Sequence, residues 1–370
     1  MGVFGAILLS LAGSQPFFVA TAVATARGRS SPPPALILEW QPGAIACDDR
    51  ILRPASLIPA PYPRRSVRMP VRPSEATYRF TLGAEGRAKS IDFVKTELDG
   101  FIDTKPPYRQ EIVPALAAAR FEPVDEPVQC LVQFTENAIR MSEASLEQLI
   151  RLRIAARKAR VSNEVWSRFA PGNCTTKRLK TLRRDYPDFR KVDPIPGSNH
   201  WTFVSYDVDA QGASENITVV GSSGGDQLNT EVTEAVESSL HVDAEPRTGC
   251  WFYYYKGAGV IEEPERPDLE TYGDQPEACE ADDKWAEAPR LDYPRTYQRR
   301  GIEGWVVLQY DVAPWGEIGN VEVLDAQPAR DLVQFAERVL TSGRYKVAGS
   351  GLSGCIERVV FKLPEKPADE

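Results

Sequence analysis

The sequence predicts an α+β protein of three tandem domains, each running strand, strand, helix, strand, and each with one internal disulfide. Three observations carry this reading. Cysteines frame three stretches of similar length, Cys47 to Cys130, Cys174 to Cys250 and Cys279 to Cys355. Each stretch holds a Tyr-Pro early (Tyr62-Pro63, Tyr186-Pro187, Tyr293-Pro294) and a turn glycine midway (Gly86, Gly212, Gly316). Apolar residues alternate in one register about all three glycines.

The first strand of each hairpin comes from the residues ahead of the glycine: Tyr78, Phe80 and Leu82, then Val204, Tyr206 and Val208, then Leu308, Tyr310 and Val312. The returning strand carries Ile91 and Phe93, Ile217 and Val219, Val321 and Val323. Every one of these positions is apolar in a chain that is 42% hydrophobic, so the coincidence is not one of composition. The period is two on both sides, which buries one face and leaves the other polar, with Arg79, Asp207, Gln309 and Glu322. A helix follows. It is clearest in the third stretch, where Leu332, Phe335, Ala336, Val339 and Leu340 share a face, with Ile112 to Arg120 and Glu231 to Leu240 as counterparts. Pro114 is compatible only with an opening turn. Short apolar strands close the units after the second cysteine: Leu131 to Thr135, Trp251 to Tyr255, Ile356 to Leu363.

Domains of this size bury a limited core, so a covalent staple is useful, and the recurring frame favours pairing within each unit. The rival arrangement, reduced thiols in a cytosolic chain, conflicts with the N-terminus. Residues 3–26 are rich in Ala, Leu, Phe and Val and end in Ala24-Thr25-Ala26, a small-residue cleavage pattern that points to a signal peptide and a periplasmic destination, while the basic residues usual ahead of such an apolar run are missing. An inner-membrane anchor is the alternative. The remaining divisions are an extended lead-in at 27–35, a first unit at 36–138 and a connecting helix at 139–168, where Ser145 and Gln148 can form a capping box. A second unit at 169–257, a flexible acidic linker at 258–275, a third unit at 276–364 and a polar tail at 365–370 complete the chain.

A net charge of -8 argues against nucleic acid as a partner. The basic run Arg151 to Arg184 and the acidic run Glu262 to Asp283 read as solvated faces. The chain has no Cys-x-x-Cys and only His200 and His241, which excludes the usual zinc patterns. It also lacks a Gly-x-Ser-x-Gly, a P-loop and a His-Glu-x-x-His, so no enzyme, cofactor or small-molecule substrate is expected. Gly221-Ser222-Ser223-Gly224-Gly225 reads as a plain loop, and Trp251 to Tyr255 as core and rim.

In the third stretch the run Tyr293-Pro294, Gly301-Ile302-Glu303-Gly304, Trp305 to Val312, Gly316, Val321 to Leu324 and Phe335-Ala336-Glu337-Arg338-Val339-Leu340 resembles the C-terminal domain of TonB-type energy transducers. The first two stretches look like diverged copies. They lack the Gly-x-x-Gly, having Val71-Arg72-Pro73-Ser74 and Ile195-Pro196-Gly197-Ser198 nearby. The resemblance implies that each unit is a two-layer α+β domain, a small three-stranded antiparallel sheet packed on helix, in a bacterial envelope protein that binds extended peptide segments of outer-membrane proteins by strand addition to its last strand. Candidate partner-strand residues are Ile356, Arg358, Val360 and Lys362 on one side of that strand, with Glu357, Val359, Phe361 and Leu363 on the other. Val359-Val360-Phe361 breaks the alternation, which leaves the core-facing side open. Three stapled copies imply a multivalent adaptor. A membrane-anchored transducer component and a structural envelope protein without peptide ligand are the alternative readings.

Overall fold

The computed structural model describes residues 36–54, 56–64, 74–94, 111–156, 159–174, 179–242, 245–346 and 349–364. The expected signal peptide, the lead-in, the tail and Val71-Arg72-Pro73 lie outside these. The first sheet is built from β1 (Leu36–Cys47), β2 (Arg50–Leu52), β3 (Tyr62–Arg64), β4 (Glu75–Leu82) and β5 (Ala88–Val94). Helix α1 (Ile112–Ala118) and β6 (Val128–Arg140) complete it. Strand order is β2-β1-β6-β4-β5, with β3 paired to β1. Tyr78, Phe80 and Leu82 are buried on β4 as their period requires. Gly86 has φ +73, and a Cβ there would stand 2.3 Å from the Phe121 carbonyl oxygen. Only glycine fits such a turn.

Six strands here exceed the three expected, and β1 is the reason. Its opening residues Leu36 to Trp40 are all buried, so they show no alternation to read, and Pro42-Gly43 sits in its middle where the register shifts. Pro114 stands in the first turn of α1, where a missing N–H costs nothing.

Next come α2 (Leu146–Ala155), α3 (Asn163–Trp166), β7 (Thr181–Arg183), β8 (His200–Val208), β9 (Ser214–Ser222), α4 (Asp226–Glu237), β10 (Leu240–His241) and β11 (Arg247–Lys256). The capping box is present: Gln148 N–H donates to Ser145 Oγ at 3.2 Å and Ser145 N–H to Gln148 Oε1 at 2.9 Å. The second sheet has the order β11-β8-β9, with β10 and β7 paired beside it. Helix α4 starts at Asp226, earlier than the expected Glu231, because Leu228 and Val232 extend its buried stripe.

The last region holds α5 (Glu277–Glu280), β12 (Trp285–Glu287), α6 (Arg295–Arg300), β13 (Gly304–Val312), β14 (Ile318–Gln327), α7 (Val333–Thr341), β15 (Arg344–Tyr345) and β16 (Leu352–Phe361). Its sheet has the order β14-β13-β16. Gly212 and Gly316 repeat the geometry of Gly86: their carbonyls accept from His241 N–H at 2.8 Å and Tyr345 N–H at 2.9 Å, as Gly86 does from Phe121 N–H at 3.0 Å. No helix among the described residues is long and apolar enough to cross a membrane.

Three expectations are corrected. The third sheet is covered on both faces, because Trp305 and Val307 on its outer face are apolar and would otherwise form an exposed patch. The acidic stretch supplies the cover and is packed, with Leu269 and Tyr272 against Trp305, Val307 and Ile356, and Trp305 Nε1 donating to Pro264 O at 2.9 Å. The basic run is not all solvated: Arg151 is held 3.8 Å from Glu39 and also donates to Pro59 O.

The first and third regions share a core. One apolar cluster runs from Tyr78, Ile91 and Ile112 of the first sheet region to Tyr297, Leu332 and Phe361 of the third. At the seam Ile91 N–H donates to Pro328 O at 3.0 Å, and Ser90 and Gln327 exchange hydrogen bonds of 3.1 and 2.8 Å. The second sheet keeps its own core under α4, built on Val204, Tyr206, Leu228 and Val232. Arginines tie the regions together: Arg300 donates to Gly197 O at 3.2 Å and Ile58 O at 3.1 Å, and with Arg299 it pairs with Glu111.

The cysteines join as Cys47–Cys130, Cys174–Cys250 and Cys279–Cys355, with none free. Replacing Cys279 and Cys355 together by alanine is expected to lower stability by about 2–5 kcal/mol in denaturant titrations under oxidising conditions. A second prediction concerns Asp331, which accepts a hydrogen bond from Tyr297. Burial pushes its pKa from 3.8 up to about 6, with the Tyr297 hydrogen bond opposing. The folded state therefore holds this proton more tightly than the unfolded chain. The group's contribution to stability is complete below pH 3.8 and is lost as pH rises through about 6. Asp331→Asn retains an acceptor for Tyr297 and should remove this decline, of about 1–3 kcal/mol, from the pH profile of urea unfolding.

Candidate functional site: the open edge of the third sheet

Strand β16 pairs with β13 on one side only. The N–H of Ile356 points away from β13 and donates to Gln275 Oε1 at 2.8 Å. Backbone direction repeats every second residue without a register shift from Cys355 to Phe361, so the N–H and C=O groups of Arg358 and Val360 face outward as well. Among the described residues no strand pairs with them.

The structure decides which side chains meet the core. Val359 and Phe361 are buried in the main cluster, and Glu357 pairs with Lys284 at 2.6 Å. The sequence-derived partner residues lie on the other face. Ile356 is buried beside Trp305, Val360 packs against the same cluster, and Arg358 lies 5.8 Å from the Trp305 ring and donates to Pro267 O. Their side chains are thus engaged within the chain, and what they offer outward is backbone. Lys362 and Leu363 fall beyond the strand, which ends at Phe361. Leu363 N–H is taken by Glu303 Oε1 at 3.0 Å and Pro364 has no N–H to continue the ladder.

A groove of about 410 Å³ runs along the free edge between Val359-Val360 and the residues Trp285, Pro289, Leu291 and Leu340. Leu291 is 53% exposed, so the groove presents an accessible apolar side chain beside its charged residues. The cover on the outer face is fastened by Tyr272, whose hydroxyl donates to Asp325 Oδ2 at 2.9 Å. Burial, with that hydrogen bond adding to it, pushes the phenol up to about 12, so the clasp keeps its proton across the physiological range. The Gly-x-x-Gly has a steric basis. Gly301 ends α6 at φ +66, and a Cβ on Gly304 would meet the Gln327 carbonyl oxygen at 2.5 Å.

The other two sheets treat the same edge differently. On β6 it is occupied: β1 runs antiparallel along it, Gln41 opposite Thr135, Ala46 opposite Leu131 and Cys47 opposite Cys130. On β11 a smaller hollow of about 160 Å³ lies beside Trp251 and Phe252, and Arg184 covers the Phe252 ring at 4.3 Å. In the second sheet Trp166 of α3 stacks on the outer face, 5.8 Å from Phe203 and 5.0 Å from Trp251. The chain ahead of the first cysteine therefore fills an edge in the first sheet and covers a face in the second and third.

Sequence reasoning missed β1 as an edge partner. The apolar runs Leu36-Ile37-Leu38 and Ala44-Ile45-Ala46 were the available signal. His200 bonds to Gly224 O, and His241 lies 3.3 Å from Ser214 Oγ against the Tyr206 ring, so both are held within the fold. No cluster of metal-ligating side chains occurs among the described residues. Gln275→Ala should free the Ile356 amide, speeding its hydrogen exchange by about two- to tenfold while Val359 is unchanged.

Residues 289–363 match the family model described as Gram-negative bacterial TonB protein C-terminal. Protein TonB of Escherichia coli (strain K12) is 34% identical over 71 residues, which is 19% of this chain and 29% of that protein. Protein TonB of Salmonella typhimurium is 35% identical over 71 residues, 19% of this chain and 29% of its own length. Protein TonB of Klebsiella pneumoniae is 34% identical with the same coverage, so the chain spans less than a third of these relatives.

Proposed function

We propose, from the premise that residues 289–363 form a TonB C-terminal region, that this chain is an exported envelope protein whose third sheet binds an extended partner segment by strand addition along β16. The observation that carries the reading is the contrast between edges. The outward backbone of Arg358 and Val360 borders an open groove, whereas the corresponding edge of β6 is filled by β1. An added strand on a sheet of this build is thus an arrangement the chain already contains.

The three sheets read as diverged copies. Equal turn-glycine geometry, the cysteine pairing and the closing strands support that reading. Multivalency is correspondingly smaller than three equal sites, since the β6 edge is taken. The partners are envelope proteins or extended segments of outer-membrane proteins, and the periplasm is the proposed location, supported by the apolar segment ending in Ala24-Thr25-Ala26 and by the disulfides.

Titrating the oxidised chain with extended peptides is expected to slow amide exchange at Arg358 and Val360, with no change on β9. Protection of both amides at their full value without any peptide would instead favour a sealed, purely structural edge. Fractionation with N-terminal sequencing tests location: cleavage after Ala26 in the periplasmic fraction is expected, and an intact N-terminus in the inner membrane would favour the anchored transducer.

A further inference from the structure

The groove beside β16 has a charge pattern of its own. The stretch from Glu262 to Asp283 contains a single cation, Arg266, among its many carboxylates. Two of these acids are already paired, Glu263 with Arg266 and Asp283 with Lys346 at 2.6 Å. Glu280 and Asp282 are exposed and line the groove, and among the described residues neither has an ion-pair partner. Of the cations lining the groove, Lys284 is held by Glu357 at 2.6 Å and by Cys279 O at 2.7 Å, while Arg358 lies over Trp305 and donates to the Pro267 carbonyl.

A docking edge thus sits between the apolar residues Trp285 and Leu291 and a rim on which Glu280 and Asp282 have no ion-pair partner among the described residues. A strand laid along Arg358 and Val360 alternates its side chains between the two sides of the sheet. Apolar residues on one side suit Trp285 and Leu291. Cations near its end suit Glu280 and Asp282, while acids there meet like charge.

We propose that the β16 edge selects an extended protein segment of alternating apolar residues that carries Lys or Arg where it passes Glu280 and Asp282. This rests on the reading of β16 as a docking edge. Rim charges act mainly on specificity and on-rate, so the preference is salt-sensitive.

The test uses the full oxidised chain and two peptides of equal length, alternating Val with Lys in one and Val with Glu in the other, at low and high salt. The Lys peptide is expected to bind about five- to tenfold more tightly at low salt, with the difference shrinking as salt rises. In the double variant Glu280→Lys, Asp282→Lys, both at exposed sites, the preference should reverse; in Glu280→Gln, Asp282→Gln it should vanish. Equal binding of both peptides, with Arg358 and Val360 protected, overturns the charge selection and leaves the edge standing. Failure of either peptide to protect those amides overturns the docking edge, and this proposal with it.

Discussion

A β-strand at the margin of a sheet carries a row of N–H and C=O groups with no internal partner, and that row must be paired, covered or left for something else. The chain meets this constraint differently in each sheet. In the first, β1 supplies the partners and Cys47–Cys130 fixes it in place. In the third, the stretch ahead of Cys279 passes over Trp305 and Ile356, and a single side chain, Gln275, reaches one outward amide. The difference traces to composition. Leu36 to Trp40 can be buried on both sides of a strand, while Glu262 to Gln275, with prolines and acids throughout, can donate neither a continuous ladder nor a strand buried on both sides.

Much of the architecture was legible as period two around Gly86, Gly212 and Gly316, because a half-buried hairpin writes its burial into alternate residues. The same rule explains what was hidden. Val359-Val360-Phe361 is apolar on both sides of β16, so alternation could not say which side met α7; the cover from Leu269 and Tyr272 explains why both sides are apolar. Ile91 reads in sequence as an inward residue of a hairpin, and it is buried, but periodicity does not name its neighbour. That neighbour is the Pro328-Ala329 segment, which follows β14 of the third sheet. The candidate site was half legible: the strand was anticipated, while the groove depends on Leu291 and Leu340, which are brought together only by tertiary packing.

The arginines show the same limit. Arg151 reads in sequence as part of a solvated run, yet with Arg299 and Arg300 it forms the joint where the regions meet. Burial disfavours the charged form of Arg151 and Arg300, and the carboxylates of Glu39 and Glu111 offset it. Guanidinium suits this position because its planar donors can satisfy carbonyls from several segments at once, as Arg300 does with Gly197 and Ile58.

The sulfur bridge at the far end of β1 has a mechanical consequence. Tension entering through the residues ahead of Leu36 would load its pairings with Arg140 of β6 and Arg64 of β3 first, and then the rungs to β6 toward Cys47. At Cys47 the hydrogen bonds give way to a covalent tie, so the peeled strand stays leashed to the sheet and can snap back when the pull is released.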